Sequence, residues 1–95
     1  EVGARARLMA GEIKFEKKDY SGAVRDFFKV FRGYQNAPES FNPWKAQAAY
    51  ETGRVFEAMQ RPEKAIEFYE ETIRDFPDEQ MATLAKQRLE VLKKN

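Results

Sequence analysis

Residues 48–77 read AAYETGRVFEAMQRPEKAIEFYEETIRDFP. The second half of this stretch sets Ala65, Ile66, Tyr69, Ile73 and Phe76 at helical spacing, so one apolar stripe runs down a helix between Glu63 and Phe76. The first half favours helix but carries Gly53, and a glycine inside a helix costs about 1 kcal/mol relative to alanine. Between the halves lies a short polar connection, Met59-Gln60-Arg61-Pro62. Proline suits the first turn of a helix, where its missing N–H costs nothing. Phe76-Pro77-Asp78 then ends the second helix. The stretch therefore predicts a helical hairpin.

A shift of 42 residues lays this hairpin on the first part of the chain. Ala6 falls on Ala48, Gly11 on Gly53, Ala23 on Ala65, Val24 on Ile66, Phe27 on Tyr69, Phe31 on Ile73 and Tyr34 on Phe76. Between Ser21 and Tyr34 a stripe of Ala23, Val24, Phe27, Phe28, Phe31 and Tyr34 repeats the helical rhythm, after the polar connection Lys17-Lys18-Asp19. A glycine repeated at one register, inside otherwise helical sequence, predicts close approach by a second helix with larger aromatics on either side. The longer break is Gln35 to Asn42, with Pro38 and Ser40. Asn42-Pro43-Trp44 restarts a helix, with Asn42 expected as the cap and Pro43 at its first position. A fifth helix opens at Asp78 or Glu79 and runs to about Lys93, carrying Met81, Leu84, Ala85, Leu89 and Leu92 on one face. No alternating run marks a strand. The fold class is all-α, with five helices.

Composition limits function. The 95 residues hold 17 Lys or Arg against 16 Asp or Glu, a net charge of +1, with no cysteine and no histidine. Disulfides, thiolate nucleophiles, cysteine zinc sites and the commonest general base are therefore absent. The charge balance argues against the broad basic footprint of nucleic-acid binding. No apolar run approaches the roughly 20 residues of a membrane span, and EVGARARLMA lacks a signal-peptide core. Thirteen aromatics in so charged a chain point to packing and binding rather than catalysis. Glu67, Glu70 and Glu71 invite comparison with paired catalytic carboxylates, but no partner base accompanies them. The expectation is a non-enzymatic domain without cofactor or metal.

The second unit resembles a tetratricopeptide repeat at Gly53, Phe56, Ala65, Tyr69 and Pro77. Ala49 stands where that family has tryptophan, and Thr52 where it has leucine. The first unit, ARARLMAGEIKFEKKDYSGAVRDFFKVFRGYQ, is similar at Gly11, Ala23 and Phe27, and departs at Lys14 and Gln35. The resemblance covers roughly residues 4 to 79 and implies a right-handed α-α superhelix of two helical hairpins plus a C-terminal fifth helix, either a cap or the start of a third repeat. It divides a single domain, 1–95, into repeat 1 (about 4–37), an insertion (about 35–44), repeat 2 (about 46–79) and a terminal helix (about 79–93). Family repeats are about 34 residues apart, so the 42-residue shift places about eight additional residues between Gln35 and Trp44. The ending of repeat 2 and its following Ala-rich helix resemble repeats of the bacterial cell envelope, of Tol-accessory and outer-membrane assembly type, which implies a periplasmic or envelope location, with a cytoplasmic one also open.

The resemblance further implies a non-catalytic module that binds a peptide or helix of another protein in a groove lined by the first helix of each repeat. The family's groove positions fall on Arg5, Leu8, Glu12 and Phe15 of the first helix and on Gln47, Tyr50, Arg54 and Glu57 of the third. Met81, Leu84 and Arg88 follow if the fifth helix continues the stack. Phe15 and Tyr50 would anchor and Arg54 and Glu12 orient; alternatively Phe15 packs into its own hairpin and the charges solvate the face. A clamp for a C-terminal carboxylate wants Lys and Asn where this chain has Leu8 and Glu12, which argues against that specialisation. In the insertion, Phe41 and Trp44 bracket Asn42-Pro43 as a possible loop anchor, or fold back over Phe31 or Tyr34. Residues 63–79 hold seven acids against Lys64 and Arg74, whereas the first 35 residues hold eight bases against five acids. That asymmetry keeps open a second function, self-assembly by stacking on further repeats or on other copies as a homo-oligomer. Glu1 to Ala4 runs straight into the first helix, as expected of a domain within a longer protein.

Overall fold

In the computed structural model, which describes residues 2–34 and 37–94, the chain forms α1 (Val2–Glu16), α2 (Tyr20–Phe31), a 3-10 turn (Glu39–Phe41), α3 (Asn42–Ala58), α4 (Pro62–Asp75) and α5 (Gln80–Lys93). Consecutive helices pair as hairpins, α1 with α2 and α3 with α4. Beyond this, α3 packs on both helices of the first hairpin and α5 on both helices of the second. The result is two layers, α1, α3 and α5 in one and α2 and α4 in the other. The five-helix all-α reading holds, and no strand occurs among the described residues.

Local chemistry explains the ends. Asp19 caps α2 by accepting a hydrogen bond from the Gly22 N–H at 3.2 Å, as short polar side chains do at this position. Lys18 and Gln60, in the two hairpin turns, have positive φ of 66° and 62°. Pro62 sits in the first turn of α4. One expectation fails: Asn42 is not a cap. The 3-10 turn runs directly into α3, so Asn42 already has helical angles (φ −58°, ψ −37°) and Phe41 precedes the helix with no side-chain cap. Gln35, where the first repeat departs from the family pattern, lies outside the described residues, as does Glu1.

The repeated glycines make room as their register predicted, but for an aromatic ring laid on the glycine itself rather than for a helix backbone with aromatics on either side. A Cβ added at Gly11 would sit 2.6 Å from the Phe27 ring, and one at Gly53 would sit 2.5 Å from the Tyr69 ring. Phe27 and Tyr69 are fully buried. Each hairpin is thus keyed by a ring from its second helix lying flat against the glycine of its first. Between the hairpins, Phe68 of α4 meets Phe28 at 5.5 Å and Phe31 at 6.1 Å, both edge-on, and stacks on Phe56 at 5.5 Å. Arg32 lies over the Phe28 and Phe31 rings at 5.3 and 5.0 Å and bonds the buried Glu71 of α4 at 3.1 Å. A second apolar cluster joins α4 to α5 through Ala65, Tyr69, Ala85 and Leu89.

Candidate functional site

The exposed face of the α1, α3 and α5 layer brings side chains of three helices into contact. Gln47 Nε2 of α3 donates to Glu12 Oε2 of α1 at 2.9 Å. The Arg54 guanidinium lies 5.3 Å from the Phe15 ring centroid and donates to Glu51 at 3.0 Å. Arg88 of α5 grips Glu57 of α3 with two hydrogen bonds, the Nε one at 3.0 Å. The Tyr69 hydroxyl, reaching up from α4, donates to the same Glu57 at 2.7 Å. Two shallow hollows result, one lined by Glu12, Phe15, Glu16, Glu51 and Arg54, the other by Arg54, Glu57 and Arg88. Arg54 is shared between them.

Seven of the eight groove residues expected from sequence retain at least partial exposure on these helices: Arg5, Glu12, Phe15, Gln47, Tyr50, Arg54 and Glu57. Leu8 is the exception. It is only 5% exposed and belongs to the core beside Val30, Ala48 and Ala49, so it offers a partner almost nothing. Phe15 is half-buried, edge-on to Tyr20 of its own hairpin at 6.0 Å, and still carries Arg54 on its ring. Tyr50 leans on Tyr69 at 5.6 Å. Phe41 and Trp44 form a row with Tyr34, at 5.5 Å for each neighbouring pair, and Trp44 packs on the first core. These contacts hold the insertion against the first hairpin, the fold-back arrangement. Both rings keep partial exposure.

One residue of this face, Glu51, escaped the sequence reading, and Arg88 entered it only conditionally. Glu51, one turn beyond Gln47, is pushed above the usual carboxylate range by burial, with the nearby Arg54 opposing. Arg88, which followed only if α5 continued the stack, is central. The Glu57 carboxyl is held below its usual range, first by the hydrogen bonds from Arg88, against partial desolvation. A 42-residue shift places Phe15 at the register of Glu57 and Phe27 at that of Tyr69. The hydroxyl and its acceptor thus occur together in repeat 2 and are both absent from repeat 1.

The Arg88 to Glu57 contact makes a pH-dependent prediction. A carboxyl whose folded pKa is depressed contributes stability above its unfolded pKa of about 4.3, lost as pH falls through the folded value. Arg88→Ala should therefore lower stability at pH 7 by about 1 kcal/mol, the upper range for a half-exposed pair, and the deficit should shrink below about pH 4. Urea unfolding at pH 7 and pH 3 checks this. A deficit that stays constant or grows at low pH would contradict the assignment.

Stacked helical hairpins with a keyed glycine and an open inner layer define a helical-repeat protein. The sequence model of the tetratricopeptide repeat family matches residues 4–78, and the chain belongs to that family. No curated protein and no solved structure matches it. Repeats of this family generally mediate protein–protein interaction and are typically non-catalytic. Among the described residues no helix is long and apolar enough to cross a membrane.

Proposed function

We propose that this domain binds a peptide or helical segment of another protein along the α1, α3 and α5 face. The observation that carries the reading is the cross-helix chain of contacts, Glu12 with Gln47, Phe15 with Arg54, and Glu57 with Arg88. These hold the face in one arrangement before any partner arrives, which lowers the ordering cost of binding. Most charges on the face are already paired, so a partner gains by exchanging contacts and by covering the Phe15 and Tyr50 rings. Affinity then rests on few residues, as interfaces anchored by Tyr and Arg do.

The test is a peptide array probed with the intact domain and with the double variant Tyr50→Ala, Arg54→Ala. Both side chains are at least partly exposed, so circular dichroism should stay unchanged. Peptides bound by the intact domain should weaken at least about 10-fold, as expected when hot-spot side chains are truncated. Equal binding by both proteins would reject this face as the binding surface. A location in the bacterial cell envelope is a narrower proposal, supported by the lengthened first repeat and the Phe76-Pro77 ending of the second. Fractionation of the native host tests it.

A further inference from the structure

Charge along the groove changes sign from one helix to the next. At one register stand Glu12 on α1, Arg54 on α3, 42 residues later, and Arg88 on α5, a further 34. In the hollow between α3 and α5 the carboxylate is already spent, because Glu57 accepts from both Arg88 and Tyr69. Two guanidinium groups stand there against one acid. The hollow between α1 and α3 has the opposite balance, with Glu12, Glu16 and Glu51 against Arg54 around the Phe15 ring. Arg54 pairs with Glu51 alone. Among the described residues no ion pair engages Glu12 or Glu16, and the Gln47 amide gives Glu12 only a neutral partner.

Nothing local favours two acids at this place. Glu12 and Glu16 lie four apart on one helix face, where like charges repel. Both also lie in the last turns of α1, which ends at Glu16, so the negative end of the helix opposes them. Across the hollow the Glu51 carboxyl is pushed up by burial, opposed by Arg54, and pushed further by the charge of Glu12. One more positive charge would relieve all three, and a sequence that works against its own local stability does so at functional positions. The hollow already shows which group it accepts, since the Arg54 guanidinium lies 5.3 Å from the Phe15 ring centroid with a carboxylate beside it. Its volume of about 280 Å³ falls just under the roughly 300–1,000 Å³ of small-molecule pockets, so a single side chain is the fitting occupant. We infer that the hollow of Glu12, Glu16 and Phe15 receives a lysine or arginine side chain of the partner, so that the groove selects basic segments. The inference rests on the groove reading. Glu16 is exposed and Glu12 and Phe15 are half-buried, so the cation reaches them without parting Arg54 from Glu51.

Three pools of short peptides, equal in apolar content and carrying a net charge of about +3, zero or about −3, test this by their affinity for the domain. The basic pool should bind best although the chain's own net charge is +1, and added salt should weaken it. Glu12→Gln with Glu16→Gln should weaken the basic pool by about 5-fold or more, as the loss of two partly exposed ion pairs implies. The thermal midpoint of that variant should stay level or rise, because two repelling acids are gone. Glu63→Gln with Glu67→Gln, an exposed pair of the same spacing on α4, removes the same charge and should leave binding unchanged. A neutral or acidic pool bound best, no pool bound, or a basic pool held equally by the Glu12 and Glu16 variant would overturn the inference. The groove reading survives the first and last of these outcomes if Tyr50→Ala weakens whichever pool binds. If instead the Glu12 and Glu16 variant loses the basic pool and Tyr50→Ala does not, the acidic hollow stands and the wider groove falls.

Discussion

Gly53→Leu is expected to be among the most damaging single substitutions in this domain, lowering stability by about 3 kcal/mol or more. Even the first added carbon would lie 2.5, 2.7 and 2.9 Å from three atoms of the Tyr69 ring. That ring cannot swing away, because it is fully buried and its hydroxyl is held by Glu57 at 2.7 Å. Relief therefore requires α3 and α4 to separate, opening the core on both sides. For a domain of this size each kcal/mol shifts the thermal midpoint by about 4–8 °C, so a fall of about 12 °C or more should appear in thermal denaturation. Gly3→Ala is the control. Among the described residues, the only atom close to its added carbon is the Tyr34 hydroxyl at 3.1 Å, at the tip of a side chain, and alanine favours the helix by up to about 1 kcal/mol. A loss at Gly3 as large as that at Gly53 would show that the cost comes from helix backbone rather than from the ring.

The second large effect is expected at Phe68. Its ring lies among Phe28 and Phe31 of α2 and Phe56 of α3, so Phe68→Ala leaves a cavity where the two hairpins meet. Truncating a buried phenylalanine costs about 3–5 kcal/mol. The loss should be cooperative, because Arg32, lying over two of the same rings, also bonds Glu71 across that interface. Phe68→Leu should recover more than half of the stability in chemical denaturation, since most of the volume returns. If Phe68→Ala costs under about 1 kcal/mol, the hairpins are held together chiefly by something other than this aromatic cluster.

These two positions differ in how visible they are from sequence. Gly53 announces itself twice, because it interrupts helical sequence at the register of Gly11. Phe68 sits beside Tyr69, off the strongest stripe, and its importance comes from residues 37 and 40 positions away on α2. The groove behaves similarly. The resemblance placed Glu12, Phe15, Gln47, Tyr50, Arg54 and Glu57 on the first and third helices, where they are at least partly exposed. It could not tell that Leu8 turns into the core, that Glu51 holds Arg54, or that Arg88 reaches across to Glu57. Each of these depends on how far one helix is rotated toward its neighbour. Likewise the acids of α4 suggest a surface for another copy, yet Glu71 is spent on Arg32 and Glu70 on Lys93 at 3.1 Å.

Helical spacing, two matched glycines, polar turns and prolines at helix ends are local quantities, and from them the sequence alone determined five helices and their pairing into hairpins. Only the tertiary structure decided which charges are paired, which aromatics serve packing, and which apolar side chains, Met9 and Ile13 on α1 and Val91 on α5, stay exposed. The reason is physical. Periodicity fixes which residues share a face of one helix, whereas exposure and ion pairing are set by the distance and rotation between helices, which no single segment encodes.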